Sequence, residues 1–482
     1  VNTIPGVFEN QGGRGDSVLA QVRGRSLCVL RIAVAFVLAG ASPLVFAQAS
    51  CTGPAGQTVT GAGSFVCGST ATATGGNATA FGNLASATGA GSMALGAGTV
   101  TNGLQATAIG TQVQANAEGA TSVGAQSRAN AIGATALGGF FDLNNDNLVT
   151  DNERTTASFL NATAIGANAQ VSDAAGSAFG NQSRAALNAV AVGQSALSTG
   201  GASVAVGQGS QAAGLEATAI GQLSIASAQN SSALGQNSQA TGVQGTALGE
   251  STVASGPQSS AVGQAARASV ANTTAMGQNA TATGVRATAL GQGANANSQD
   301  SSAIGQAAQA TAINTTATGQ AATASAIGAT ALGFQSGASG LRATALGNNS
   351  RATQTASTAV GGWIDRNGNG LVEAGEFTSA TATDATALGT ASTASAADAT
   401  ALGFSATASA INSVALGTGS IADQANTVSV GTAAATRKIV NLAAGTAATD
   451  GVNFSQLTAV VQATDDIRSR PTAWPMAPTT RR

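Results

Sequence analysis

One register dominates this chain: a glycine closes a short phrase every fourteen residues. The phrase is plain at Ala106-Thr107-Ala108-Ile109-Gly110 and recurs, with Ile or Leu in fourth place, at 134–138, 162–166, 217–221, 287–291, 329–333, 343–347, 385–389 and 399–403. Its closing glycines run Gly68, Gly82, Gly96, Gly110, Gly124 and Gly138, then resume at Gly166 and Gly180. One thirteen-residue step leads to Gly193, and Gly207 opens an unbroken series to Gly361. Gly389, Gly403, Gly417 and Gly431 complete it. A fixed period of this kind marks stacked repeats, in which each coil buries its face against its neighbours.

Fourteen residues at roughly 3.3 Å each make a coil of two short strands and two turns. The phrase alternates as a two-faced strand must, and its glycine stands where the backbone turns with a positive φ. So flat a coil has no room for large side chains between its strands. Composition agrees: aromatic residues are 3%, charged residues 8%, and 64 residues are Gly, where ordinary soluble chains carry about a quarter charged residues. Ala and Ser at alternate positions are therefore assigned to the interior. The other face carries one aliphatic column: Ile109, Leu137, Ile165, Val206, Ile220, Leu234, Leu248, Val262, Leu290, Ile304, Leu332, Leu346, Leu388, Leu402 and Leu416. Inside the roll it would only fill the core. Outside it forms a longer apolar stripe than monomers expose, and the flat coil favours that placement, so self-association is expected.

Absences narrow the function. The chain has no His, which removes the commonest general base and metal ligand and with it any Ser/His/Asp or Cys/His arrangement. The only Lys is Lys438, and no nucleophile clusters with it or with a carboxylate. The chain is read as a binding or structural protein and not an enzyme. A net charge of −2 offers no basic footprint, so nucleic acid is not an expected partner.

Residues 1–47 read as an N-terminal extension and signal peptide. Arg23, Arg25 and Arg31 precede an apolar run from Ile32 to Phe46, with small residues at Ala47 and Ala49 where cleavage would fall. A membrane span needs roughly 20 apolar residues, and Gly40 and Pro43 interrupt this shorter run. Export would deliver Cys51 and Cys67 to an oxidising compartment, where a bridge within the chain or between subunits is expected. Residues 48–67 form a cap segment, 68–431 the solenoid with acidic inserts at 140–158 and 363–380, and 432–457 a junction before the tail 458–482.

The repeats resemble the heads of the YadA-like trimeric autotransporter adhesins of bacteria, over about residues 64–457. A second match is Asn426-Thr427-Val428-Ser429-Val430-Gly431, then 437–445, then Thr449-Asp450-Gly451-Val452-Asn453 and Gln456-Leu457. It is similar to the family's neck, with Gly451 where the family has Ala. The resemblance implies an all-β, left-handed parallel β-roll solenoid of 14-residue coils, a homotrimer, with a C-terminal neck and the start of a helical stalk. It also implies a cell-surface passenger that binds host extracellular matrix or cell-surface ligands. After Leu457 the chain has neither the sustained heptads of a stalk nor the alternating ten-residue strands of a membrane barrel. It is read as a truncated copy, exported but lacking the outer-membrane anchor. The competing reading is a structural or ice-binding solenoid, suggested by Thr-x-Ala strands with polar faces, although Thr alternates irregularly with Ser, Asn and Gln.

Two intervals in the glycine series are 28 residues, a doubled repeat, and each holds an acidic segment. Asp142, Asn144, Asp146, Leu148, Thr150 and Glu153 fall at places 1, 3, 5, 7, 9 and 12 of one twelve-residue window. Asp365, Asn367, Asn369, Leu371, Glu373 and Glu376 fall at the same places of the other. Oxygen ligands at those places, a backbone carbonyl at the seventh and a closing Glu make the calcium loop of an EF-hand. Seven of the 20 acidic residues lie in these windows. Calcium is the expected cofactor. The plainer alternative is an acidic, turn-rich surface loop, because the flanking helices of an EF-hand are missing.

Overall fold

The computed structural model describes residues 49–51 and 56–470, and the export-signal reading lies outside them. The chain divides into two compact units, one ending at Ser251 and one beginning at Thr252.

In the first unit a representative coil runs from a strand at Thr107–Ile109 through a turn at Gly110 to a strand at Gln114–Ala115. A second turn then leads to the next coil's strand at Thr121–Val123. Equivalent strands pair in parallel, Thr107 with Thr121 and Gln114 with Arg128. Parallel neighbours need a connection of about a dozen residues, and the remainder of each coil supplies it. The thirteen-residue step leaves register untouched: Ser177 pairs with Val190 and Arg184 with Leu197. The missing residue comes out of the turn between those strands. A slip in the strand itself would have reversed every inside and outside position beyond it.

The interior is built from methyl groups. Ala106, Ala108, Ala115 and Ala120 are fully buried, and Val66 and Val113 head the fully buried side chains by size. Serines substitute for alanine because their hydroxyls find a local acceptor. Ser127 Oγ donates to the Gly124 carbonyl at 3.0 Å and Ser238 Oγ to the Gly235 carbonyl at 2.8 Å, so the buried hydroxyl is not left unpaired. At the first coil Cys51 and Cys67 form a disulfide within the chain, with Cα atoms 5.1 Å apart.

The second unit repeats the plan, from Val253–Ala254 and Ser260–Val262 to Ile421–Ala422 and Val428–Ser429. Its closing glycines do more than supply a turn. Gly291 has φ +131°, and a Cβ there would lie 2.5 Å from the Gly305 carbonyl oxygen of the next coil. Only a residue without a side chain lets the backbones approach so closely.

The two long intervals are single coils carrying an excursion, which corrects their reading as doubled repeats. Leu137 pairs directly with Ile165 and Ala129 with Ala157. Across the second interval, Val360 pairs with Leu388 and Ala352 with Ala380. The stack closes over each insert, which leaves sideways as a loop.

After Val428–Ser429 the chain is irregular to α1 (Phe454–Ser469), the only α-helix among the described residues. Arg437 ties this segment to the last coils, donating to Ser420 Oγ at 2.6 Å, to the Val430 carbonyl at 2.5 Å and to the Thr418 carbonyl. Asn453 caps α1, its side chain accepting from the Gln456 amide at 3.1 Å. Gln456 in turn grips Gly445 through both its amide N–H and its carbonyl, at 2.9 Å each. No residue of α1 is buried, and Leu457, Val460 and Ile467 form an exposed stripe at heptad spacing.

Candidate functional site

Three surfaces could carry function: the outer face of the coils, the two inserts and the segment around α1. On the outer face the aliphatic column stands outside the roll. Ile109, Ile220 and Leu248 in the first unit, and Ile304, Leu332, Leu346, Leu388, Leu402 and Leu416 in the second, are each 37% to 45% exposed. Leu137, Ile165, Val206, Leu234, Val262 and Leu290 are half-buried. The exposure is a consequence of the strand's alternation, since the flanking alanines take the inward positions. Two places earlier on the same face stands a polar column, Thr218 and Thr246 for instance, interrupted by Val190 and Val204. Threonine holds that place without a break from Thr107 to Thr163 in the first unit and from Thr316 to Thr400 in the second, and Met, Ser or Val ends each run.

A device that the sequence reading missed lies beside the column. Glutamines following the closing glycines join from coil to coil by side-chain amides. In the first unit Gln236 donates to Gln222, and Gln222 to Gln208, at 3.2 and 3.1 Å. In the second, Gln320, Gln306, Gln292 and Gln278 each donate to the glutamine fourteen residues before, at 2.9 to 3.0 Å. The recurring Gly-Gln pair was the available signal.

Both inserts fold alike. Phe140 and Arg154 form an antiparallel bridge at the base of the first, Trp363 and Phe377 at the base of the second. These bridges take the place of flanking helices. Position one organises each loop: Asp142 Oδ2 accepts from the Asn147 amide at 3.0 Å, and Asp365 accepts from the Gly368 and Gly370 amides at 2.7 and 2.8 Å. Asn144 and Asp146 accept from the amides of Asp146 and Leu148, and Asn367 and Asn369 from those of Asn369 and Leu371. Each closing glutamate is buried and seals its loop. Glu153 accepts from the Leu143 and Thr150 amides and from the Thr150 hydroxyl; Glu376 accepts from the Arg366 and Glu373 amides. The Thr150 amide, against the opposing cost of burial, holds the Glu153 carboxyl below its ordinary value. Glu373 is turned onto the Asn367 and Asn369 amides at 2.9 Å each.

The twelve loop residues are thus gathered, but largely by bonding one another. Among the described residues no three acidic or thiolate side chains come together as a metal-binding group. One atom breaks the pattern: Asp142 Oδ1 is buried with no hydrogen-bond partner, a costly condition for a carboxylate oxygen.

The family model described as the YadA head domain repeat matches successive segments from 60–85 through 408–434. Its matched segments stop at 140 and resume at 160, and stop at 362 and resume at 380, so both inserts fall between them. The model described as the coiled stalk of trimeric autotransporter adhesin matches 438–470. Among solved structures, the crystal structure of the collagen-binding domain of the Yersinia adhesin YadA is similar at 21% identity and a TM-score of 0.11, covering 69% of this chain and 98% of that one. No curated protein matches the chain.

Proposed function

Because the chain belongs to the family of YadA-like trimeric autotransporter adhesins, we propose that it is a non-enzymatic adhesin passenger. Three copies associate, and the assembly binds host matrix or cell-surface ligands. The observation that carries this reading is the aliphatic column, half exposed at coil after coil. Surface of that extent is covered in a soluble protein. The heptad stripe of α1 offers the same self-complementary chemistry at the other end of the second unit's sequence. What remains outside is a repeated, shallow, polar face, suited to many weak simultaneous contacts. The passenger reaches the cell surface by export. Among the described residues no helix is long and apolar enough to cross a membrane.

The test is binding of the purified chain to immobilised matrix proteins, collagen among them. Saturable binding that falls sharply when the chain is diluted below the dissociation constant of its self-association supports the reading. Binding by a monomer as strong as by the assembly contradicts it.

Each insert further takes one calcium ion, in this proposal. Asp142, Asn144, Asp146, the Leu148 carbonyl, Thr150 and Glu153 hold one, and Asp365, Asn367, Asn369, the Leu371 carbonyl, Glu373 and Glu376 the other. The buried, unpartnered Asp142 Oδ1 of the first insert supports a cation-binding role for that loop. Because the coils on either side pair without the insert, the ion tightens a loop and does not fold the unit. Calorimetry with calcium should show heat that Glu153→Gln and Glu376→Gln each reduce. Heat unchanged by both, or absent at millimolar calcium, reduces the inserts to exposed loops.

A further inference from the structure

Beside the first insert, two guanidinium groups meet over one carboxylate oxygen. Arg128 Nη1 and Arg154 Nη1 each lie 2.6 Å from Asp151 Oδ1. The arrangement is unequal. The arginine side chains are 27% and 18% exposed, whereas Asp151 is 76% exposed and sits on the solvent side. Two guanidinium groups face the one exposed carboxylate they bond, and Arg154 also feels the buried Glu153 carboxylate, which is already bonded within the insert.

The arginines line a cleft of about 260 Å³ whose other walls are Gly98, Gln112, Gln114 and Gln126. Gln114 and Arg128 are register partners on neighbouring coils. Arg154 is fixed by the insert's return arm, with Nη2 donating to the Val149 carbonyl at 2.8 Å and Nε to Gln126 Oε1 at 3.4 Å. Arg128 is less committed: of a guanidinium's five N–H donors, one goes to Asp151. The walls hold no apolar side chain. Carboxamides both donate and accept, as ring hydroxyls require, and a planar guanidinium pair suits a carboxylate. The volume lies just under the range that houses drug-sized ligands, which suits a single ring.

We infer that this cleft binds the carboxylate and hydroxyls of an acidic sugar unit, with Asp151 occupying the carboxylate's place until the ligand displaces it. The second insert is an internal control. Phe377 stands where Arg154 does, Ala374 where Asp151 does, and Arg351 lies over the Phe377 ring at 4.4 Å in place of an ion pair. The same scaffold there has no paired-arginine site. The inference needs neither a matrix ligand nor an association of chains, because every residue it uses lies on one chain beside the first insert, so it survives the failure of the matrix-binding reading.

The experiment is titration of the full chain with glucuronic acid, glucose and inorganic sulfate, read by calorimetry. Glucuronic acid should bind, with glucose and sulfate each weaker by about tenfold or more, the loss of one charge-assisted contact set. Asp151→Asn should tighten glucuronic acid several-fold, because it removes the internal competitor and keeps both cations. Arg128→Gln should weaken it by about tenfold, and Arg351→Gln should leave it unchanged. Gln114→Ala, which disturbs no ion pair, should weaken glucuronic acid and spare sulfate. Sulfate binding as tightly as the sugar acid makes this a bare anion site and overturns the inference. So does weaker binding by Asp151→Asn with Gln114→Ala unaffected, or the absence of saturable binding in both the parent chain and Asp151→Asn.

Discussion

Two glycines in one coil separate the two demands that the fold makes of the residue. Gly291 combines φ +131° with a Cβ position 2.5 Å from the Gly305 carbonyl oxygen and 2.6 Å from its carbon. Gly293, two residues on, has φ +64° and nothing within 4 Å of its Cβ position. Alanine at 291 meets backbone that cannot yield without parting two coils. A backbone conformation foreign to L-residues costs about 1–3 kcal/mol, and overpacking adds about 1–3 kcal/mol. The sum is about 2–6 kcal/mol, or roughly thirtyfold to twenty-thousandfold in a local opening equilibrium at 1.4 kcal/mol per decade. Alanine at 293 faces only the left-handed conformation, which Ala307 and Ala321 already adopt at the same place in later coils. A gain of about 0.4–1 kcal/mol from a stiffer unfolded chain offsets much of that. Because coils interact with their neighbours, the loss at 291 should stay near it. Native-state hydrogen exchange reads this directly. Gly291→Ala should accelerate exchange at Gly291 and Gly305, whose amides bond the preceding coils, while Gly293→Ala leaves the pattern near that of the parent. Equal effects from the two substitutions would refute the close-approach argument, and a uniform change across the second unit would refute nearest-neighbour stacking.

Three further outcomes follow from the same geometry. Reducing the Cys51–Cys67 bridge, which spans 16 residues, should lower local stability by about 3 kcal/mol, and faster exchange confined to the first coils is the readout. The Glu153 carboxyl is depressed by the Thr150 amide, so its ionised form stabilises the insert fully above its unfolded value and the contribution is lost as pH falls through the lower folded value. Protection factors of the Leu143 and Thr150 amides, taken relative to intrinsic exchange at each pH, should therefore be flat near neutrality and fall only below about pH 4; a loss of protection between pH 6 and 8 would contradict the assignment. Leu332→Asn with Leu346→Asn should weaken association by about 1 kcal/mol per side chain covered without altering the circular dichroism of the strands, because both side chains are already outside; lost β-signal would place them in the core.

The coil was legible because its constraints are local. The closing glycine marks one turn, the alternating alanines mark the inside, and the alternation then leaves Ile109 and Leu332 on the outside. Register survived even the thirteen-residue step, since the turn absorbed it. The inserts were legible by spacing as turn-rich loops whose first and last acidic residues organise them, yet the sequence could not tell that Glu373 turns onto Asn367 and Asn369. The Arg128–Asp151–Arg154 contact was invisible for another reason. It joins a strand to a loop 23 residues away through the direction in which the insert leaves the stack, and no periodicity encodes that direction. Aligning coils would have shown Arg128, Arg184, Arg267 and Arg351 at one outward place, a hint of the column but not of its partner.

The central claim is that the exposed aliphatic column and the stripe on α1 are interfaces between copies of this chain. Sedimentation velocity on the purified chain at micromolar concentration tests it most directly. The account predicts a single species of three chain masses that falls apart in the Leu332→Asn, Leu346→Asn variant. A monomer at that concentration, with the column left in water, would contradict it.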